Sequence, residues 1–227
     1  MKTSIVVFDI DGTLTDTVAP HQAAFLEALQ SFGFPNLVTD WSKYQHHSDS
    51  AIFAEAWATA GWDAPAPMGV LENRYRAAYD RRSAVVDLRE IPGAAHFLAS
   101  LQDSPWVPVF ATGSLRHGAV HKMTVANLPY DDELLVSATE HQTREEIVTQ
   151  AIQAGRPQLS HDQPDRVVSV GDGLWDLLTA KTLDLEFVGI ASGGKAATLS
   201  AKGAEVMPDF TRFSSPKAFF DHARKIQ

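Results

Sequence analysis

The sequence predicts an α/β protein, a parallel sheet with helices on both faces, interrupted near its start by a helical insertion. Three observations carry this. Short apolar runs of strand length alternate with helix-period segments over most of the chain. Between residues 17 and 89 the alternation stops and only helical patterns remain. Acidic and hydroxyl residues fall where strands give way to turns, at Asp9-Ile10-Asp11-Gly12, Thr112-Gly113 and Gly171-Asp172. Parallel sheets gather their sites at such strand ends.

The elements follow in order. The apolar run 5–8 is the first strand, and Gly12 permits the sharp turn after it. Segment 20–32 places Ala24, Phe25, Ala28 and Leu29 on one helical face, and Gly33 ends it. Segments 49–60 and 69–79 carry helix formers, separated by the breaker-rich stretch 61–67. After Ile91-Pro92-Gly93 come a helix over 94–101, a strand over 106–111, a helix over 115–127, a short strand at 134–136 and a helix over 143–154. A strand at 166–170, a helix over 174–182, a strand at 186–190, a helix over 195–202, a short strand at 205–207 and a helix over 216–225 follow.

A chain of 227 residues with 44% apolar composition can bury a full core. It has no cysteine, which excludes disulfides, thiolate metal sites and a cysteine nucleophile. The net charge of −9 argues against a nucleic-acid partner held through its phosphates, yet leaves room for a small phosphorylated ligand met by local cations. No basic segment followed by a long apolar run opens the sequence, and no apolar run approaches membrane-spanning length. A cytoplasmic protein with no membrane partner is expected. Its oligomeric state is unread, since no heptad pattern specifies one.

Asp9 and Asp11 would share one side of an extended strand unless the turn separates them. Neighbouring carboxylates repel unless a proton or cation lies between them, and their hard oxygens suit Mg²⁺. Taken alone, an Asp-Gly pair is an ordinary turn. Thr112-Gly113 stands at a strand end before a helix, where a hydroxyl and exposed amides can donate to phosphate oxygens; taken alone Thr112 or Ser114 reads sooner as a plain helix cap, and the preceding strand and the acidic turn at 9–12 reverse that order. Asp172 and Asp176 flank another helix start, where acids also answer the helix dipole.

The string Asp9-Ile10-Asp11-Gly12-Thr13-Leu14, together with Gly171-Asp172-Gly173-Leu174-Trp175-Asp176, resembles the first and fourth motifs of the haloacid dehalogenase-like hydrolases, most of which are phosphatases. The resemblance runs from residue 5 to residue 190. It implies a Rossmann-like core at 1–16 and 90–227 and a helical cap at 17–89, as in phosphoglycolate phosphatase and β-phosphoglucomutase-like members. It further implies Asp9 as nucleophile, Asp11 as general acid and base, and Thr112, Gly113 and Arg144 as phosphate ligands. Arg144 stands where the third motif usually has Lys; Lys122, well inside the preceding helix, ranks behind it. Asp9, Asp11 and Asp172 would hold the Mg²⁺, with Asp176 orienting a water or the basic residue. The expected reaction is hydrolysis of a small phosphorylated metabolite through an aspartyl-phosphate.

Several alternatives stay open. A sugar-phosphate mutase would keep the phosphoryl group until a second hydroxyl arrives, and a phosphonatase would need a cap lysine, for which Lys43 is the one candidate. A silent member would bind a phosphorylated ligand without turnover. Within the cap, His47, Ser48 and Asp49 are candidates for the substrate-facing loop, with Ser48 or Asp49 equally able to be a helix N-cap. The run Gly189 through Ala196 falls one residue short of a P-loop and reads as a strand-to-helix turn. His117 and His121 lie opposite Leu115, Ala119 and Met123, so a solvated face is expected for them.

Overall fold

In the computed structural model, which describes residues 1–226, the first strand is buried on both sides because both its faces are apolar. Ile5 and Val7 of β1 (Ser4–Phe8) join one core cluster, while Val6 and Phe8 join another across the sheet. Three helices follow, α1 (Val18–Gln30), α2 (Asp49–Thr59) and α3 (Met68–Ser83). After α4 (Ala94–Ser100) come β2 (Trp106–Thr112), α5 (Arg116–Val125), β3 (Leu135–Ser137), α6 (Arg144–Gly155), β4 (Val167–Gly171), α7 (Leu174–Thr182) and β5 (Glu186–Ile190). The last elements are α8 (Gly193–Ala201), β6 (Val206–Met207), α9 (Pro216–Phe220) and β7 (Arg224–Lys225).

The sheet runs β3-β2-β1-β4-β5-β6 with all these neighbours parallel, and β7 adds antiparallel to β5. This is the α/β layering expected from the alternating pattern. The predicted closing helix over 216–225 is shorter than expected. It stops at Phe220, whose ring is buried with that of Phe219, and Arg224–Lys225 then pair with the open edge of β5 at Phe187 and Glu186. Free strand amides outcompeted further helix there. Helix α8 likewise begins at Gly193 rather than residue 195, so the P-loop-like run is indeed a strand-to-helix turn.

Helices α1 to α3 build a core of their own, in which Phe25, Leu29, Phe53, Leu71, Tyr75 and Tyr79 meet. The two chain passages joining them to the sheet run side by side: Asp16 N–H donates to the Arg89 carbonyl at 2.9 Å and Ile91 N–H to that of Leu14 at 2.8 Å. Helix α3 lies against α5, so the face expected to be solvated at His117 and His121 is half covered. Both rings stand edge-on to Tyr79, and His117 Nε2 is 2.6 Å from Asp80. Among the described residues no helix is long and apolar enough to cross a membrane.

Candidate active site

The register of the sheet sets up the site. Phe8 is level with Phe110 of β2 and Val170 of β4, so Asp9, Thr112 and Asp172 emerge from three adjacent strand ends within one residue of each other in height. Asp9 keeps the pairing for one more step, its N–H donating to the Val170 carbonyl at 2.9 Å, and its side chain continues the face of Val7. The chain then leaves the sheet. The carbonyl of Ile10 accepts from the amides of Leu14 and Thr15, at 2.9 and 3.0 Å, in a tight loop that swings Asp11 away from Asp9.

Gly12 is what lets this loop close. Its φ is +85°, and a Cβ there would strike the Asp172 carboxylate and sit 3.2 Å from Val18 Cγ2. Gly12→Ala is therefore expected to cost about 1–3 kcal/mol of stability from backbone strain, and to weaken divalent-ion binding by displacing Asp172. Urea unfolding and titration calorimetry with Mg²⁺ check the two effects; wild-type ion affinity in the variant would show that the Gly12–Asp172 contact does not matter.

Asp9, Asp172 and Asp176, all buried, each offer a carboxylate oxygen within 4.8 Å of the others. Asp176 is anchored through Oδ2, which accepts from Gly173 N–H at 3.0 Å in the first turn of α7. Arg144, the first residue of α6, projects between these acids. Its Nη1 lies 3.1 Å from Asp9 Oδ1 and 3.3 Å from Asp176 Oδ1. A capping box between Thr143 and Glu146 fixes the helix start that delivers it. Asp172 Oδ2 pairs with Lys195 from α8, while its Oδ1 is buried without a hydrogen-bond partner.

These carboxylates are electrostatically uneasy. Burial pushes the Asp9 carboxyl up, and the Arg144 guanidinium offsets this only in part. Asp172 is pushed up to about 6, by burial and then by Asp9, against the pull of Lys195. Burial and Asp9 push Asp176 well up. Arg144 is buried too, yet Asp176 and Asp9 hold it firmly protonated. Three crowded acids, one with an orphaned oxygen, fit a hard divalent cation such as Mg²⁺.

Asp11 has a different setting. Thr17 Oγ1 donates to its Oδ1 at 2.6 Å, and Ser114 Oγ and Lys122 Nζ reach its Oδ2 at 2.6 and 2.7 Å. Burial alone would raise Asp11, but Lys122, His21 and Ser114 outweigh it and hold the carboxyl well below the usual range. Its oxygens are thus engaged away from the acidic trio, whose third member is Asp176 rather than Asp11. Lys122 has no exposed surface. The sequence holds a signal for it: Leu115, Ala119, Lys122 and Met123 fall on one helical stripe, and a lysine on an apolar stripe needs a buried partner. His21 is a similar case on the stripe of Ala24, Phe25 and Ala28. Its ring nitrogens lie 2.9 Å from Tyr75 Oη and 3.2 Å from Asp49 Oδ1.

The insertion closes over these residues. His47 O accepts from Arg144 Nε at 3.0 Å, Asp49 N–H donates to the Gly113 carbonyl at 2.8 Å, and Ser48 Oγ donates to the Gln142 carbonyl. Ser48 also caps α2, and the Asp49 carboxylate accepts from Leu115 N–H at 2.9 Å. All three line the cleft; Ser48 Oγ and Asp49 Oδ2 are engaged with the sheet-side loops, Asp49 Oδ1 faces His21, and the His47 ring is stacked on Trp175. Gly113 makes this docking possible, since a Cβ there would lie 2.7 Å from the His47 carbonyl. Thr112, fully buried, accepts from Ser114 N–H at 3.1 Å and lines the same cleft of about 620 Å³, part of it open to solvent. Lys43 lines a separate surface cleft with Tyr44 and Glu55.

Residues 6–190 match the family model described as haloacid dehalogenase-like hydrolase. No curated protein matches the chain. Among solved structures, a hydrolase from Pseudomonas syringae superposes with a TM-score of 0.69 at 22% identity, covering 97% of both chains. CbbY from Rhodobacter sphaeroides, in complex with phosphate, gives 0.67 at 17% identity over 95% of this chain and 98% of its own. A family IA, variant 3 HAD hydrolase from Entamoeba histolytica gives 0.68 at 18% identity over 96% and 98%. At these identities the superpositions speak for the fold, and the family follows from the match over residues 6–190: this chain belongs to the haloacid dehalogenase-like hydrolases.

Proposed function

We propose that the chain is a Mg²⁺-dependent phosphatase that hydrolyses a small phosphorylated metabolite through a phosphoaspartate on Asp9. The observation that carries this reading is the pairing, in one cleft, of an acid among carboxylates and a cation with a second acid held apart by Lys122, Ser114 and Thr17. Ligand binding alone requires no such division between two carboxylates two residues apart. The phosphate held by CbbY in its own structure is in keeping with the same class of ligand.

In this reading Thr112 Oγ1, the Gly113 amide and the Arg144 guanidinium bind phosphate oxygens. Asp9, Asp172 and Asp176 would hold the metal ion, which supplies positive charge between phosphate and nucleophile that lets two anions meet. An Asp9 oxygen bonds to phosphorus as the bond from phosphorus to the leaving oxygen breaks, and that oxygen takes a proton through Asp11. Water then attacks the phosphoaspartate, returns a proton to Asp11 and frees both phosphate and Asp9. We assign residues 17–89 to a cap that opens about the paired passages at Asp16 and Arg89 to exchange substrate and product. The placement of Lys43 in a separate surface cleft weighs against a phosphonatase, whose imine needs a cap lysine in the cleft.

Release of inorganic phosphate from a panel of phosphate monoesters, p-nitrophenyl phosphate included, with Mg²⁺ and again with excess chelator, tests the reading. Turnover is expected with the metal and background release without it. Ligand binding with no phosphate release in either condition would instead identify a silent binding protein.

A further inference from the structure

The cleft above Asp9 has two unlike ends. Its floor is charged. Its walls are predominantly apolar: Val18, Phe25, Trp41 and Ile52 come from the insertion, Trp175 carries the stacked ring of His47, and the polar insertion residues among them, His21, Gln22, Ser48 and Asp49, bring no lysine or arginine. Trp41 and Phe25 sit with ring centroids 5.6 Å apart, and the His47 and Trp175 rings are 5.4 Å apart at 29°. Among the described residues Arg144 is the one lysine or arginine lining this space, and it is already engaged by Asp9 and Asp176.

The cations of the insertion are directed elsewhere. Arg81 and Arg82 hold Glu27, Arg89 holds Asp87, and Arg74 lies 3.9 Å over the Phe32 ring. Lys43 sits near Asp40, and Arg76 lines a different cleft beside His117. A second phosphate or a carboxylate on the substrate would therefore be desolvated against largely aromatic walls that offer no lysine or arginine to hold it. A flat uncharged group would instead bury its area between rings.

Building on the phosphatase reading, we propose that the substrate carries a single phosphate and an uncharged, apolar leaving group, aromatic by preference, and that bisphosphates and phosphorylated acids are excluded. The hydrolysis is balanced by one water: the phosphorus–oxygen bond breaks, the alcohol keeps its oxygen and gains a proton, and phosphate departs. The absence of a second anion holder also separates this cleft from that of a sugar-phosphate mutase, which must grip a bisphosphate intermediate at both ends.

The test compares esters of primary alcohols, so that the leaving oxygens are matched: phenethyl phosphate, glycerol phosphate, phosphoglycolate and a hexose bisphosphate, with p-nitrophenyl phosphate as a general probe. The expected result is a kcat/KM for phenethyl phosphate at least about tenfold above each of the other three primary-alcohol esters. In Trp41→Ala that preference over glycerol phosphate should shrink, through KM for the aromatic ester, with Trp41→Phe restoring it. Equal or better turnover of glycerol phosphate, phosphoglycolate or the bisphosphate overturns the proposal and leaves the phosphatase reading standing. Release from no ester, the general probe included, overturns both. The wild-type panel decides the matter even if Trp41→Ala fails to fold.

Discussion

Asp9→Asn is expected to abolish steady-state phosphate release while the fold persists. An amide fills the volume of the carboxylate but has no anionic oxygen to bond to phosphorus, so the covalent route is closed rather than slowed. Stability should move the other way. Asp9 is buried beside Asp172 and Asp176 and its carboxyl is pushed up in the native state. A native value above the unfolded one means that the folded protein binds the extra proton, so stability falls as pH rises from the unfolded carboxyl value of about 4 through the raised native value. Asp172, pushed up to about 6, adds to the same loss. In chelator the wild type should thus lose stability between about pH 4 and about pH 7, and Asp9→Asn should lose less. Thermal unfolding at both ends of that window, with phosphate release at the upper one, makes both measurements. Wild-type turnover by the variant would remove Asp9 from the nucleophile's place.

The layering of the fold was legible because it rests on local pattern. Val6 and Phe8 against Ile5 and Val7 already say that β1 is covered on two sides, and the loss of alternation after Thr17 already says that the next elements are helices. The strand-end positions of Asp9, Thr112 and Asp172 follow from the same pattern, since each ends a short apolar run. What stayed hidden depends on partners distant in sequence. Asp11 shares a two-residue spacing with Asp9, and only the hydrogen bonds closing the loop at the Ile10 carbonyl reveal that it turns to Lys122, 111 positions away. Arg144 could be placed at a helix start, but not between Asp9 and Asp176. The pairing of β7 with β5 and the packing of His121 on Tyr79 are also choices among surfaces made by tertiary structure, which helical periodicity does not encode. Lys195, met first as part of a failed P-loop pattern, gained its role only when α8 brought it back to Asp172.

Asp11→Asn is expected to slow hydrolysis in a way that depends on the leaving group. An alkyl alcohol must receive a proton as it departs, whereas p-nitrophenolate leaves as a stable anion. Loss of the acid should therefore cost about 10²–10⁴ in kcat for an alkyl phosphate and far less in phosphoryl transfer from the nitrophenyl ester, with KM little changed. Asp11 in the free protein is held ionised, chiefly by Lys122, and it becomes a proton donor only when the two are taken as a unit. A buried ammonium 2.7 Å from a carboxylate keeps one dissociable proton in the pair, and charge developing on the leaving oxygen can draw it through Asp11. Lys122→Met should then show the same leaving-group signature. It should also be less stable by about 3–5 kcal/mol, because a buried carboxylate loses its counter-charge. Stopped-flow and steady-state rates on the matched pair of esters separate the alternatives. Because Asp11 also serves the hydrolysis step that both esters share, the deciding quantity is the stopped-flow phosphoryl-transfer phase: an equal loss on both esters there would mean that Asp11 shapes the loop instead of supplying the proton, and that Lys122 only neutralises it.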